Sequence, residues 1–533
     1  MTSVNPSASL RGLTAGFATA RGGLAPLIPL ALLVAAPVMA QELDWQARTV
    51  GTVSFPNSGA PEAQEAFIYS LAQLHNFEYA SAAEGFRRAR EIDPDFFMAY
   101  WGEAMSHNHP VWMEQDADAA RRVMALLGGS AEVQLARAPT ERERDWWAAL
   151  EVLYGEGAKE ERDDTYAGMM RMLHEKYPTD PEAAAFYALS LLGTAHEGRD
   201  IPTYMRAAAI LEDAVDENPN HPGIVHYLIH SYDDPIHAPL GLRAARAYAE
   251  IAPDAAHAQH MTSHIFVAVG AWDDVVGAND NAVAVVDRVR AADGRDPSAC
   301  GHYNFWLEYG YLQQERPDDA LRLVRQCFDR VRGTSGSDEP DPDNAPVGSF
   351  AQMRARYLID TEDWKSEVIG WKPELDGRPF ASVTYAFGTG FAAAQRGDLD
   401  EARRALAQLV DAAAEAERRW QEGGQGEGEL PRRPGILVLQ LQAVILASQG
   451  EMDEAIARGR QAAETEAQLP FVFGPPFVDK PSYELLGELL LRAGRIDEAA
   501  RAFETAVART PGRLRAVRGL EQGQVTRTSA TSR

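Results

Sequence analysis

Cysteine is nearly missing from this chain: two residues, Cys300 and Cys327, in a sequence of 533. That excludes a framework of bridges and leaves room for one disulfide. Basic charge is also scarce. Arginine and lysine total 51 against 78 acidic residues, a formal net charge of −27. A nucleic-acid partner needs a basic surface, so this balance argues against one, and equally against anionic lipid. It suits a soluble protein that attracts cations. Apolar runs long enough to span a bilayer are absent beyond Val38. The common catalytic signatures are missing too: no G-x-S-x-G, no phosphate-binding G-x-x-x-x-G-K, no dinucleotide fingerprint and no H-E-x-x-H. His196-Glu197 lacks a second histidine four residues on. Gly388-Thr389-Gly390 sits in a helical pattern and reads as packing, as do Trp101, Trp146, Trp147 and Trp306 at core spacing.

The first 40 residues read as a secretory signal. Arg11 and Arg21 precede any acid, an apolar stretch runs from Leu24 to Val38, and Val38-Met39-Ala40 is a small–x–small cleavage site. The apolar stretch is shorter than the ~20 residues of a membrane helix. Cleavage after Ala40 removes both arginines, so the mature chain carries −29. The expected location is periplasmic or secreted, with no stable membrane insertion after cleavage; a retained anchor is the alternative. In such an oxidising compartment a disulfide between Cys300 and Cys327 is expected, because one lies just before a helix and the other near the end of its antiparallel neighbour. Two buried thiols are the alternative.

What the chain has in quantity is repetition. Near its start stands Phe77-Glu78-Tyr79-Ala80-Ser81-Ala82-Ala83, continuing to Phe86, Ala89 and Pro94. Near its end stands Gly494-Arg495-Ile496-Asp497-Glu498-Ala499, continuing to Phe503, Ala506 and Pro511. Counted from Ala82 and from Ala499, the later residues fall at the same offsets. Gly270, Gly397 and Gly450 open further units, Glu315-Arg316-Pro317 a looser one, and Pro178, Pro219 and Pro253 close others. Small residues belong where two helices of a hairpin cross, and proline where a helix must start afresh. The pattern resembles the tetratricopeptide consensus. It predicts an all-α, tetratricopeptide-type helical-repeat solenoid, a right-handed superhelix of helical hairpins in which each unit packs only on its neighbours.

The expected organisation is a signal peptide at 1–40 and an N-terminal extension at 41–61. Repeats with a histidine cluster follow at 62–334, an insertion and irregular repeat at 335–380, and C-terminal repeats at 381–515. A disordered tail is expected at 516–533. Gly333 to Pro346 and Gly423 to Pro434 read as flexible insertions.

All thirteen histidines lie between His75 and His302. His226 and His230 are four apart, as are His260 and His264, and the second pair follows the first by 34 residues, one tetratricopeptide unit. His257, His260 and His264 form one stripe of a helix, and His302 opens the first helix of the next unit. Imidazoles on packed helices can converge, and neutral imidazole is a favoured ligand for copper, zinc and iron. The expected metal residues are therefore His226, His230, His257, His260, His264 and His302. One copper or zinc ion, less readily iron, would be held mainly by the two pairs, with binding weakening below about pH 6. Asp233, Asp234 and Glu308 are candidate orienting carboxylates, and His107 and His109 candidate extensions of the site. Two other readings stay open: histidines that only pack or hydrogen-bond, and histidines that contact an organic ligand. His75, His174, His196 and His221 read as buried histidines bonded to backbone carbonyls.

The run His257-Ala258-Gln259-His260-Met261-Thr262-Ser263-His264-Ile265-Phe266, with His226-Tyr227-Leu228-Ile229-His230 before it, resembles a family of exported bacterial tetratricopeptide proteins with a histidine-rich centre. So does the later Gly474-Pro475-Pro476-Phe477-Val478-Asp479-Lys480-Pro481-Ser482-Tyr483-Glu484-Leu485-Leu486-Gly487-Glu488. The resemblance implies the fold and marks these segments, but implies no reaction. Two functions follow. One is a metal protein, carrier or enzyme, centred on the histidines. The other is a non-enzymatic scaffold that takes a protein or peptide in its groove. Oligomeric state is open.

Overall fold

The computed structural model describes residues 48–332, 346–422 and 429–531. The signal segment and the parts of the two insertions at 333–345 and 423–428 lie outside the described residues. Within them the chain forms twenty-three α-helices, and the only strands are the two-residue pair Asn108–His109 and Glu114–Gln115. Nearly every helix packs on the next, and first helices of neighbouring units also touch, as Pro181–Leu192, Pro222–Tyr232 and Ala256–Val269 do in succession. This is the all-α helical-repeat solenoid that the repeat grammar predicts.

Local chemistry explains the units. Ala82, Phe86 and Ala89 are buried in one hairpin, and Ala499, Phe503 and Ala506 in another. Proline occupies the first turn of helices such as Pro222–Tyr232 and Pro317–Val331, where its missing N–H costs nothing. The turn between hairpin helices needs a left-handed residue. Gly270, Gly397, Gly450 and Gly494 supply it with φ between 73° and 86°, a region open to glycine without steric cost. At the corresponding turn near the start, Phe77 takes φ 57°, a strained choice for an aromatic residue.

The array does not run straight. Helix Pro61–His75 meets helix Pro222–Tyr232. At the other end Gly512 approaches Gly270, and Trp272 Nε1 donates to the Gly512 carbonyl at 2.9 Å. The segments on either side of the repeats also pack on the array. The extension, described from residue 48, is built into the fold. Thr52 N donates to Asn220 O at 3.0 Å, Asn76 Nδ2 donates to Val50 O at 2.9 Å, and Phe55 stacks on Trp101 at 5.6 Å. Its apolar side chains make it part of the core. The tail, expected disordered from 516, is helical over Leu514–Thr531. Buried Ala516 and the ion pair of Arg515 with Glu362 anchor its first turns. Cys300 and Cys327 are joined, with Cα atoms 4.8 Å apart. The bridge ties the residue pair before helix His302–Gln313 to helix Pro317–Val331.

Candidate metal centre

Helices Pro222–Tyr232, Ala256–Val269 and His302–Gln313 bring all six expected histidines together, but sort them differently from the expected four-histidine site. His226, His230 and His257 form one triad, and His260, His264 and His302 a second, with the candidate ligand atoms of each triad within 4.8 Å of one another. The triads adjoin: ring centroids of His230 and His264 are 6.0 Å apart, and those of His257 and His260 6.1 Å. The reason is helical phase. An i, i+4 pair shares a face, and the third ring comes from the first turn of the next unit's first helix.

Hydrogen bonds fix which nitrogen faces inward. His226 Nδ1 lies 2.7 Å from the His75 carbonyl oxygen. A carbonyl only accepts, so Nδ1 carries the proton. His264 Nδ1 lies 2.6 Å from Asp233 Oδ2 and donates likewise. His260 Nδ1 is 2.7 Å from Asn279 Oδ1, and Asn279 Nδ2 donates to Val275 O at 2.8 Å, which sets the amide so that its oxygen faces the histidine. Neutral His226, His260 and His264 therefore each present a bare Nε2. In the second triad, His260 Nε2 stands 3.2 Å from His264 Nε2 and 2.9 Å from His302 Nε2. In the first, Nε2 of His226, of His230 and of His257 is buried without a partner. Burial, then the neighbouring imidazoles, drives the pKa values of His226, His230, His257 and His260 well below the usual 6.5. The rings are thus held neutral, the form that binds metal.

A third group shows the opposite arrangement. Glu182 receives His75 Nε2 at 2.7 Å and His221 Nε2 at 3.0 Å. Tyr227 hydroxyl meets His75 Nδ1 at 2.9 Å, and Ile224 N donates to His221 Nδ1 at 3.2 Å. Each imidazole nitrogen here has a partner, and the carboxylate has both imidazoles. These two histidines are buried, as the sequence reading expects, though their partner is a buried carboxylate rather than a backbone carbonyl. Burial alone would raise the Glu182 carboxyl, but His221 and His75 outweigh it and hold it down at about 2.

The other candidates fall outside. His109 stacks on Tyr79 at 3.9 Å, and His107 joins neither triad. Asp233 orients His264, whereas Asp234 serves His237 and Arg199. Glu308 is fully buried, and its carboxylate makes no hydrogen bond to the histidines. His174 packs against Tyr187, away from both triads.

Sequence reasoning missed the walls. Phe77, the strained turn residue, lies 4.3 Å from His226. Trp306, read as core, stacks on His264 at 4.5 Å, and Phe473 packs on the same ring at 4.9 Å. Phe473 belongs to a strap, residues 470–481, laid across the centre. Gly474 takes φ 90° and passes so close to Trp306 that a Cβ would stand 2.2 Å from its ring. Arg356 donates to the Asp479 and Pro476 carbonyls, and Gln440 to the Lys480 carbonyl. Lys480 and Arg513 both reach Glu484. The only sign of this strap in the sequence was the Gly474–Glu488 segment, whose neighbour in space a linear pattern does not name. Beside it opens a cleft of about 1730 Å³, counting its open mouth, lined by Trp112, Arg199 and Phe473 among others. Trp112 also meets His257, at 5.7 Å.

No family profile and no characterised protein sequence matches the chain. Among solved structures, the chain is similar to yeast Tom70, 14% identical over 87% of this chain and 89% of that one, with a TM-score of 0.33. It is also similar to human IFIT1 in a dimer with m7Gppp-AAAA, at 12%, 89%, 91% and 0.36. A third is Cut9 of the APC/C Cut9–Hcn1 hetero-tetramer, at 10%, 89%, 78% and 0.33. These neighbours are tetratricopeptide-type helical-repeat proteins, and the likeness lies in the helical array.

Proposed function

We propose that this protein is an exported helical-repeat protein that binds a transition metal through the two histidine triads. The observation that carries the reading is the set of fixed tautomers. Asp233 and Asn279 set the bare Nε2 atoms of His264 and His260 3.2 Å apart, a repulsive contact until a cation shares it, and the His75 carbonyl bares Nε2 of His226 in a triad whose three Nε2 atoms have no partner. The third group supplies the contrast, since there every imidazole nitrogen is satisfied by protein. Copper and zinc suit an all-imidazole donor set best, with iron third. Metal–nitrogen bonds near 2.0–2.1 Å place neighbouring nitrogens about 3.3 Å apart in a tetrahedral site, close to the spacing in the second triad. Three ligands leave a coordination position open, the feature that separates reactive from storage sites. The joined cysteines favour an oxidising compartment, in line with the signal read at 1–40.

The test is elemental analysis of untagged protein, followed by calorimetry on chelator-treated protein. Stoichiometric copper or zinc is expected, reduced in His264→Ala and unchanged in His174→Ala. Absence of metal, or equal behaviour of the two variants, overturns the reading. The protein would then stand as a scaffold for a protein partner, for which the cleft beside Phe473 is the available surface.

A further inference from the structure

The two triads are built by one rule applied twice. In each, an H-x3-H pair lies on the first helix of a repeat, and the third imidazole comes from the first turn of the following repeat's first helix. His226 and His230 take His257, the second residue of helix Ala256–Val269; His260 and His264 take His302, the first residue of helix His302–Gln313. The rule then stops. Counting from His302 as from His257, the places of His260 and His264 hold Phe305 and Tyr309. In each triad a pair member is anchored through Nδ1 by an acceptor outside the triad: His226 by the His75 carbonyl in the first, His264 by Asp233 and His260 by Asn279 in the second.

Resting on the metal reading above, we infer that the centre takes two ions of the same kind, one per triad, as a binuclear site. A single ion cannot serve all six rings. An ion in the second triad alone would leave Nε2 of His226, His230 and His257 buried without a partner, and an ion in the first alone would leave the bare Nε2 atoms of His260 and His264 3.2 Å apart. Burying unpaired polar groups is costly, and the first triad alone has three such nitrogens. The ions would be neighbours, because rings of the two triads stand as close as 6.0 Å. They would also lie at the cleft, since Trp112 and Phe473 touch the histidines on one side and line the cleft on the other.

The experiment is a copper(II) titration of full-length, chelator-treated protein, counting ions by elemental analysis and recording electron paramagnetic resonance. Two ions per chain are expected, with spin–spin coupling at full loading. The paired variants His226→Gln/His230→Gln and His260→Gln/His264→Gln should each bind one ion and show an uncoupled signal. Glutamine keeps much of the volume, and circular dichroism checks the fold. If a variant pair unfolds, the single rim variants His257→Gln and His302→Gln decide: each should weaken one of two binding steps and leave the other. One ion in the wild-type protein overturns the binuclear site while leaving metal binding intact. No ion overturns both. Two ions that remain when a whole triad is replaced also overturn the inference.

Discussion

His264 shows how much one residue's neighbours decide. Its ring is set by the Asp233 carboxylate on one side and stacked between Trp306 and Phe473 on its faces. Orienting partners of this kind raise ligand basicity and hold the ring, and removing one commonly weakens metal binding by about 10–100-fold. Asp233→Asn should therefore lower metal affinity by about that factor with the helical content unchanged, as calorimetry and circular dichroism can establish. Glu182 makes a contrasting case. It is fully buried between two histidines. Glu182→Ala leaves both without their acceptor, and losing one partner of a buried pair costs about 3–5 kcal/mol. Urea denaturation should register this loss, and a cost below about 1 kcal/mol would contradict the structural role given to the pair.

At the scale of elements, the strap and the disulfide both bear on the centre. Gly474 cannot carry a side chain where it crosses Trp306, on grounds of both φ and space. Gly474→Ala should lift the strap from the indole, leaving Trp306 more open to acrylamide quenching; unchanged quenching would show that the strap tolerates the methyl group. The Cys300–Cys327 bridge closes a 27-residue interval, worth roughly 3 kcal/mol on a loop-entropy view. It ends two residues before His302. Cys327→Ser should lower the midpoint of urea unfolding and weaken the step of metal binding that uses His302 more than the step that uses His257.

On the scale of the whole array, the first and last described helices contact earlier or later units, and buried ion pairs fasten those contacts. Glu182 helps join helix Pro61–His75 to the histidine helices. Glu484, with Arg513, Lys480 and through Arg513 Asp360, fastens the C-terminal repeats. Burial alone would raise the Glu484 carboxyl, but Arg513 and Lys480 outweigh it and hold it well below the usual range. A depressed carboxyl stabilises the folded state fully above its unfolded value, here 4.5, and that stabilisation is lost as pH falls toward about 2. Metal-free protein should thus lose stability steeply between pH 4.5 and 2 in urea unfolding. Glu484→Gln, though less stable at neutral pH, should show a shallower slope across that interval; an equal slope would mean that another group governs acid unfolding.

The repeat grammar and the thirty-four-residue phase of the histidine pairs were legible because both are periodicities of one chain. Small residues at helix crossings, glycine at left-handed turns and prolines at first turns announce themselves at fixed offsets. The same spacing named all six clustered histidines, and it marked His174 as a bystander. It did not tell that six rings divide three and three. The third ligand of each triad crosses from one repeat to the next, and the superhelical packing of units decides which rings meet. Phe77, Trp306 and Phe473 stayed hidden for the same reason. Phe473 is more than 200 residues from His264 in sequence and reaches it only because the C-terminal repeats return. The tail was misread because local composition does not reveal what a segment is buried against. For this protein, the sequence by itself determined the repeating helices and the histidines that cluster, through local propensity and period. Only the tertiary structure decided how those residues group, which nitrogens face inward and what covers them, because those depend on contacts between segments far apart along the chain.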